Sequence, residues 1–458
     1  MENIESREGL STTVEGRSLT SENFKNDNTT YCSNQEEKVL VNSITTAWIL
    51  LLGQAFSEEN KLLFVQILFR HGDRAPIDLY PNDPNPASVW PEGLSALTTL
   101  GKKQQYALGK YFRTRYDNFT TSSPLEVNVI SSEVDRCLKS AETNLASFYA
   151  PNHKWSFDND LPWQPIAIHY LPKNQDKYLE VDSDCPRADE EKQKIIKSPE
   201  GQRFLKEHEE MFRNLSTLSG YPIANWTKAS YLHDVLFIEK KYNLTIPAWV
   251  EPYWNELTNV SNLSFFWTYN SPLLHRLRAG PLIQRIIEKM NQKINGEIPN
   301  MKFQIYSAHD TSIAVVLDAL NLFNMIAPPY CSALLFELFE MPDGVKTVRM
   351  LYQNSSKPEE KIDPPQILIL DGCTEFCPLD YFINYTSALI PEDWDQECQL
   401  DKTFVEKIQE RKVTIGWFLI LIAVVMAVMS VFLLWRMYSR RQDKKGISAV
   451  KYSSLDGP

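Results

Sequence analysis

Three apolar runs of strand length, each followed by charged residues, are the clearest feature of the hydrophobic pattern. Residues 62–69 (LLFVQILF) are almost unbroken in their apolar character, which is typical of a strand covered on both faces of a parallel sheet. Residues 127–130 and 301–306 are two further strand candidates. Apolar side chains recur at helical spacing over residues 98–116, which supplies the crossover of a βαβ unit. The pattern predicts an α/β fold, a three-layer α/β/α domain with a mainly parallel sheet.

A second region, about residues 162–300, has a different character. It is polar, rich in Trp and Tyr, and contains helical patterns at residues 189–216 and 282–294. We interpret this region as a smaller, mostly helical insertion that caps the main domain. Helices are also predicted after the second strand candidate, up to about Tyr149, and after the third, over residues 311–320.

Near the C-terminus, residues 413–435 (VTIGWFLILIAVVMAVMSVFLLW) contain no charged side chain. Such a run can cross a hydrocarbon layer of roughly 30 Å as a helix. A buried core helix, the alternative, seldom has more than about 20 apolar residues, so we predict a single transmembrane helix. The basic residues that follow it are Arg436, Arg440, Arg441, Lys444 and Lys445. The positive-inside bias then places residues 436–458 in the cytosol and residues 56–412, the ectodomain, in the lumen or outside the cell.

The N-terminus carries a polar leader and then a short apolar run. Residues 1–38 are rich in Ser, Asn and Glu, residues 44–52 are apolar, and the GQA of residues 53–55 resembles a signal-peptidase site. Secretory signals normally lie within about 30 residues of the start. Three interpretations stay open: a signal peptide behind an extended leader, an uncleaved anchor, or an incorrectly chosen start codon. We favour cleavage near Ala55 and assign residues 1–55 to the leader and the signal or anchor.

Glycosylation signals agree with a secretory route. The N-x-S/T pattern occurs nine times. The acceptor residues are Asn28, Asn118, Asn214, Asn225, Asn243, Asn259, Asn262, Asn354 and Asn384. One such pattern means little, but nine of them favour a chain that enters the secretory pathway.

Four cysteines lie in contexts that suit disulfide bonds. Cys373 and Cys377 are four positions apart in DGCTEFC, and Cys185 and Cys398 lie in polar, loop-like segments. A zinc site is the competing interpretation, but two further clustered Cys or His ligands are missing. Disulfide bonds are therefore the favoured interpretation.

The charge balance narrows the class of ligand. The formal net charge is −11 and the isoelectric point is near 5.3. This argues against a nucleic-acid partner, because binding to a phosphate backbone needs a clustered basic face. A small anionic substrate stays compatible with the charge if a few arginines converge locally.

The sequence RHGDR at residues 70–74 directly follows the first apolar run. A phosphoryl-transfer site needs a nucleophile with a lone pair, guanidiniums that bind non-bridging oxygens, and a glycine that permits close backbone approach. The alternative is a surface turn with salt-bridged arginines. The motif alone does not decide between the two interpretations.

Two further clusters favour the phosphoryl-transfer site. Arg136 opens a helix after the second apolar run, and His309 and Asp310 follow the third. Ligands of open α/β sheets bind outside the carboxyl ends of the strands, so these side chains are expected to converge with His71. Asp310 offers a proton donor. Singly, an arginine at a helix end and a His-Asp pair are more often structural, but together they indicate one site.

The strings LLFVQILFRHGDRAPID, SSEVDRCLKSAETNLA, WQPIAIHYLP and YSAHDTSI resemble, in order and context, the signatures of the histidine acid phosphatases. The similarity extends over about residues 61–398. It implies hydrolysis of phosphate monoesters or phosphorylated peptides through a covalent phosphohistidine, without a metal or other cofactor. The implied roles are nucleophile for His71, proton donor for Asp310, and binding of the phosphoryl oxygens for Arg70, Arg74, Arg136 and His309.

The resemblance also bears on disulfide pairing and assembly. The implied pairs are Cys185 with Cys398 and Cys373 with Cys377. A further cap disulfide of some family members has no counterpart here, because residues 231–245 contain no cysteine. Cys137 and Cys331 are then expected to be free buried thiols. A homodimer is compatible with the resemblance.

The short tail contains KYSSL at residues 451–455. Tyr452 followed by Leu455 resembles a tyrosine-based endocytic sorting signal that cytosolic adaptors bind, and the alternative is an ordinary polar tail. The single span with a short tail is similar to the lysosomal type of the family. We predict a single-pass type I membrane protein of the lysosome, the endosome or the cell surface.

Two other functions stay open. A phytase-like inositol polyphosphate phosphatase would keep the phosphohistidine, but such enzymes often have Glu where Asp310 stands. A glycosylated cell-surface binding protein with vestigial activity would usually have lost His71 or one of the arginines, and all of these are present.

Overall fold

The computed structural model describes residues 60–152, 154–399 and 404–452, with side chains of the last range described over residues 416–441. The predicted leader, Asn28 and Leu455 lie outside the described residues, as does the side chain of Tyr452. An eight-stranded sheet organises the fold. Its strands are β1 Lys61–Arg70, β2 Val127–Ser132, β3 Ile168–Leu171, β4 Phe303–Ala308, β5 Ala333–Glu340, β6 Lys346–Gln353, β7 Gln366–Leu368 and β8 Cys377–Pro378.

The sheet is mixed, with the order β3-β2-β4-β1-β5-β6-β7 and β8 paired with β6. Strands β1 to β4 are mutually parallel, whereas β5 pairs antiparallel with β1 and begins an antiparallel half. Strands β1 to β4 and β6 therefore run in one direction, which confirms the predicted α/β fold with mostly parallel strands. The antiparallel half was not predicted. It includes a tight turn between β5 and β6 at Gly344, where φ is +84°.

The central strand β1 explains the longest apolar run. Phe64 and Leu68 point into one hydrophobic core, whereas Val65, Ile67 and Phe69 point into a second. Successive side chains of a strand point to opposite faces, and all five of these are buried. Both faces of β1 are therefore covered, as the sequence pattern predicts.

Some of the helices cover the two faces of the sheet, and others lie outside these layers. The helices of the described residues are α1 Thr99–Arg115, α2 Asp135–Phe148, α3 Pro186–Lys197, α4 Pro199–Glu207, α5 Glu209–Ser219, α6 Trp226–Lys241, α7 Trp254–Tyr269, α8 Gly280–Ile294, α9 Asp310–Ala319, α10 Leu379–Thr386, α11 Trp394–Glu397 and α12 Phe404–Tyr452, with a helical turn Pro272–Leu274 and a π-helix His275–Ala279 before α8. Phe112 of α1 and Phe148 of α2 join the core on one face. Ile283 of α8 and Ile313 of α9 join the core on the other, which confirms the three layers.

The cap is built from α4 to α7, which share a separate hydrophobic core that includes Phe204, Leu215, Trp226 and Val260. The predicted cap bounds of residues 162–300 are too wide. β3 pairs in parallel with β2 as an edge strand of the main sheet, and α8 packs into the core beside that sheet.

The helix predicted over residues 189–216 is wrong as a single element, because the chain forms α3, α4 and α5 there. Pro199 lacks the N–H that a continuous helix would use. Ser198 instead caps α4, and its Oγ accepts a hydrogen bond from the backbone N–H of Gly201 at 3.0 Å. A good N-cap next to a proline therefore interrupts the helical pattern.

Helix α12 contains the one stretch of the described chain that is long and apolar enough to cross a membrane, Gly416–Arg441. Its large apolar side chains, such as Leu421 and Val428, are exposed rather than packed in a core. The stretch overlaps the span predicted at residues 413–435. Its orientation stays a prediction.

Both predicted disulfides are present. Cys185–Cys398 joins the start of α3 to the end of α11, and Cys373–Cys377 closes the turn that leads into β8, of which Cys377 is the first residue. The two thiols predicted to be free, Cys137 and Cys331, are free and buried. The eight sequon asparagines within the described residues are all exposed or half-buried. Their positions are compatible with glycosylation, which stays a prediction.

Candidate active site

The carboxyl ends of three neighbouring parallel strands bring the candidate side chains together. β4 lies between β2 and β1 in the sheet. His71 follows β1, Arg136 lies in the first turn of α2 after β2, and His309 follows β4. The ring centroids of the two histidines are 5.6 Å apart. The convergence predicted from the three strand ends is therefore observed.

His71 is buried, and its two ring nitrogens have different partners. Nδ1 is 2.8 Å from the carbonyl oxygen of Gly72; a carbonyl can only accept, so Nδ1 carries the proton. Nε2 accepts a hydrogen bond from Nε of Arg136 at 3.0 Å. Burial, followed by the charges of Arg136 and Arg70, lowers the pKa of His71 well below its usual value. His71 is therefore a neutral imidazole with its lone pair on Nε2.

Close backbone packing holds the loop after β1 in place. A Cβ on Gly72 would collide with the backbone of Gly101 in α1, so only glycine fits there. The backbone N–H of Gly72 donates to Oγ of Ser140 at 3.2 Å, and Gln105 Nε2 donates to the carbonyl of Arg70 at 2.9 Å. Helices α1 and α2 therefore fix the position of the neighbouring histidine.

The guanidinium of Arg70 is held from three sides. Its Nη2 forms a 2.7 Å ion pair with Oδ2 of Asp310, and its Nη1 donates to the carbonyl of Pro328 at 2.6 Å. The guanidinium carbon lies 4.1 Å from the ring centroid of Tyr330, a cation–π contact. These contacts place the arginine beside His71 with little freedom.

The guanidinium of Arg74 is held by the cap. Both of its Nη atoms donate to the carboxylate of Asp234 in α6, at 2.9 and 3.1 Å, which is a bidentate pair. The next helical turns of α6 add a second link, because Lys241 Nζ lies 2.6 Å from Oδ1 of the buried Asp73. The cap is therefore connected to the RHGDR loop by two ion pairs.

Arg136 connects the two histidines. Besides its bond to His71, its Nη1 donates to Oγ of Ser95 at 2.9 Å and its Nη2 lies 3.4 Å from Nδ1 of His309. Nε2 of His309 is 3.1 Å from Oγ of Ser132. Burial, and then the charge of Arg136, lowers the pKa of His309 to about 3. His309 is therefore neutral as well.

Asp310 lies at the opening of the site, with 23% of its side chain exposed. Burial acts to raise the pKa of its carboxyl, but the charges of Arg70 and Arg74 outweigh burial, and the net shift is downward. Asp310 is therefore a carboxylate in the resting site. A role as proton donor requires something that weakens its contact with Arg70.

All six residues singled out from the sequence lie in this site. Four further residues of the site were not predicted from the sequence. Asp234, Ser95, Tyr330 and Lys241 contact the predicted arginines, Asp73 or each other. None lies in a short motif, and Asp234 is 160 positions from Arg74. Among the described residues, no group of three or more His, Cys, Asp or Glu side chains could hold a metal ion.

Comparison with known proteins identifies the class of enzyme. The sequence model of the histidine phosphatase superfamily (branch 2) matches residues 61–353. The prostatic acid phosphatase of Homo sapiens is 37% identical over 350 residues, which cover 74% of this chain and 88% of that protein. The lysosomal acid phosphatase of Rattus norvegicus is 33% identical over 351 residues, 75% of this chain and 81% of that protein. The chain belongs to the histidine phosphatase superfamily, branch 2, and the prediction of an enzyme of the phosphatase class is confirmed.

Solved structures share the fold. The phytase from Citrobacter braakii aligns with a TM-score of 0.57 at 20% identity, covering 74% of this chain and 100% of that chain. The apo form of the Hafnia alvei phytase aligns with a TM-score of 0.55 at 20% identity, covering 75% and 99%. At this level of identity the likeness concerns the α/β fold alone.

Proposed function

We propose that the protein is an acid phosphatase that hydrolyses phosphate monoesters through a phosphohistidine at Nε2 of His71. The observation that carries the proposal is the state of this imidazole, whose Nδ1–H is bound to Gly72 while the lone pair of Nε2 faces Arg136. Its lowered pKa keeps the ring unprotonated in acid, where most histidines become cations. A neutral imidazole is the form that can attack phosphorus.

Three guanidiniums would bind the transferring phosphoryl group. The Nε atoms of Arg70 and Arg74 are buried and have no hydrogen-bond partner within the described part of the chain. A buried donor without an acceptor is unfavourable, and phosphoryl oxygens would supply the acceptors. Arg136 would transfer its hydrogen bond from Nε2 of His71 to a phosphoryl oxygen as the N–P bond forms. The arginines thereby stabilise the charge that develops in the transition state.

Binding of the substrate would also prepare Asp310 for its role as an acid. In the resting site the charge of Arg70 helps to keep the pKa of Asp310 low. A phosphate dianion beside this pair competes for Arg70 and adds negative charge, and both effects raise the pKa of the carboxyl. Asp310 would therefore take up a proton with the substrate and donate it to the leaving alkoxide as the P–O bond breaks.

The second half of the reaction reverses these roles. A water oxygen attacks the phosphorus of the phosphohistidine, the P–N bond breaks, and its electron pair returns to Nε2 of His71. The Asp310 carboxylate accepts a proton from the attacking water. The products are an alcohol and inorganic phosphate, and the neutral imidazole is restored.

Turnover by a nucleophile variant tests this function. We expect His71→Ala to remove essentially all hydrolysis of p-nitrophenyl phosphate by the detergent-solubilised full chain at acidic pH, because alanine lacks the nucleophilic nitrogen to which the mechanism assigns the covalent bond. His169→Ala is the matched control, since this histidine is exposed on the edge strand β3. A His71→Ala enzyme with activity within a few-fold of the wild type would contradict the mechanism.

The location of the enzyme is part of the proposal. A type I protein with its phosphatase domain outside the cytosol is supported by Gly416–Arg441, by the two disulfides and by the accessible sequons. A glycosidase-sensitive mass and protection of the ectodomain from protease in sealed vesicles would support this topology.

In this topology Tyr452 and Leu455 would be available to cytosolic sorting adaptors. Tyr452→Ala should then raise the fraction of protein at the cell surface. A homodimer stays a prediction that sedimentation of the purified protein can test.

A further inference from the structure

The loop that contains Ser95 is paired with the chain just after the RHGDR motif. The backbone N–H of Ser95 donates to the carbonyl of Pro76 at 2.7 Å, that of Ala75 donates to the carbonyl of Ala96 at 3.0 Å, and Arg74 forms an antiparallel bridge with Leu97. Ser95 therefore has a fixed place at the edge of the active site.

The backbone of Ser95 adopts a conformation that favours glycine. Its φ is +64°, in the left-handed region where a Cβ is strained. Glycine would occupy this position without strain, and what serine adds there is its hydroxyl. That side chain is half-buried, and its Oγ accepts the hydrogen bond from Nη1 of Arg136 at 2.9 Å.

The three arginines of the site differ in the partner that holds them. Arg70 and Arg74 are each paired with a carboxylate, whereas Arg136 has no carboxylate within ion-pair distance among the described residues. The partner of its Nη1 is the neutral hydroxyl of Ser95, and its Nη2 lies 3.4 Å from Nδ1 of His309, which is also neutral. A hydroxyl orients the guanidinium without neutralising its charge, which leaves the full charge of Arg136 available to an anion.

We propose that Ser95 is a positioning residue that holds Arg136 in the orientation required for contact with Nε2 of His71 and then with the phosphoryl group. The guanidinium is a rigid planar fork, so a bond at Nη1 also sets the direction of Nε, which donates to His71. The inference rests on the proposed function, because it assigns to Arg136 a contact with the transferring group.

Two substitutions separate the hydroxyl from the backbone conformation. Ser95→Gly removes the hydroxyl and relieves the strain, and Ser95→Ala removes the hydroxyl and keeps the strain. We expect both variants to lose roughly tenfold to a hundredfold in kcat/KM and in affinity for inorganic phosphate, the usual effect of one lost hydrogen bond to a charged group. The melting temperature of Ser95→Gly should equal or exceed that of the wild type. Ser95→Asn should recover part of the loss, because Asn tolerates the left-handed region and offers an acceptor oxygen.

The chain offers a matched control at Ser122. This serine has φ +62°, and its Oγ also accepts a hydrogen bond from an arginine, Nη1 of Arg113. Neither residue belongs to the site described above. Ser122→Gly should therefore leave kcat/KM and the affinity for phosphate as in the wild type. Any effect of this substitution should be confined to the melting temperature.

The measurements are hydrolysis of p-nitrophenyl phosphate and titration calorimetry with inorganic phosphate, both on the full chain in detergent. Equal phosphate affinity and kcat/KM in Ser95→Gly and wild type would overturn the role of Ser95 and leave the proposed function intact. If the wild type hydrolyses no phosphate monoester, the proposed function fails. The role of Ser95 is then decided by phosphate affinity alone: a loss in both hydroxyl-free variants supports it, and no loss overturns it.

Discussion

Nε of Arg136 donates a 3.0 Å hydrogen bond to Nε2 of His71. The lone pair that would attack phosphorus therefore accepts a hydrogen bond from a cation. This contact orients the imidazole and opposes its protonation, because a second positive charge beside the guanidinium is unfavourable. The same nitrogen of Arg136 becomes available to a phosphoryl oxygen when the N–P bond forms. The contact in the resting site therefore holds the charge of Arg136 at the place where negative charge develops in the transition state.

Removal of the Arg136 guanidinium should change both the rate and its pH dependence. We expect Arg136→Ala to lower kcat by roughly 10²- to 10³-fold, the effect of one lost donor to a developing charge. Because Arg136 lowers the pKa of His71, its removal raises that pKa. The acid limb of the kcat/KM profile, where His71 becomes protonated, should then move to higher pH. An acid limb at the same pH as in the wild type would show that Arg136 does not act on His71.

The leaving group tests Asp310 as the proton donor. Alkyl phosphates expel a strongly basic alkoxide, whereas p-nitrophenolate leaves almost without protonation. We expect Asp310→Asn to slow phosphorylation of His71 by glycerol phosphate by roughly two to four powers of ten, and by far less for p-nitrophenyl phosphate. Single-turnover phosphorylation with both substrates measures this difference. Equal losses on the two substrates would mean that Asp310 positions the phosphoryl group and does not protonate the alcohol.

Glu239 of the cap should make the fold more stable in acid. Asn85 Nδ2 donates to Oε1 of Glu239 at 2.8 Å, while Oε2 and the nearby Asp83 Oδ2 are buried without hydrogen-bond partners in the described part of the chain. Burial, opposed by the Asn85 bond and assisted by Asp83, raises the pKa of Glu239 to about 8. The unfolded chain releases this proton above about pH 4.3, so stability should fall as pH rises from there to about 8.

Thermal denaturation across this pH range measures the effect. The melting temperature of the wild type should fall between mildly acidic and mildly alkaline pH, and Glu239→Gln should show a flatter dependence, because glutamine does not titrate. Glu200→Gln, at an exposed position of α4, is the control and should retain the wild-type slope. The same slope in Glu239→Gln and wild type would assign the pH dependence to other groups.

The sequence predicted those parts of the site that local motifs encode. RHGDR and the His309-Asp310 pair directly follow apolar runs, and parallel strands bring their carboxyl ends to one edge. Asp234 and Ser95 could not be predicted, because their contacts with Arg74 and Arg136 depend on how the cap and the loop that contains Ser95 pack against the main domain. Neither residue lies in a recognisable sequence motif. The antiparallel strands β5 to β8 were missed for a similar reason, since an apolar strand does not reveal the direction of its neighbour.

The covalent intermediate on Nε2 of His71 can be trapped and located in the enzyme. The full chain would be mixed with radiolabelled p-nitrophenyl phosphate, quenched rapidly in alkali, where phosphohistidine persists, and mapped by peptide mass spectrometry. We predict label on the peptide that contains His71, attached at Nε2, and none in His71→Ala. Label at any other residue, or turnover in the wild type with no labelled enzyme under single-turnover conditions, would contradict the mechanism.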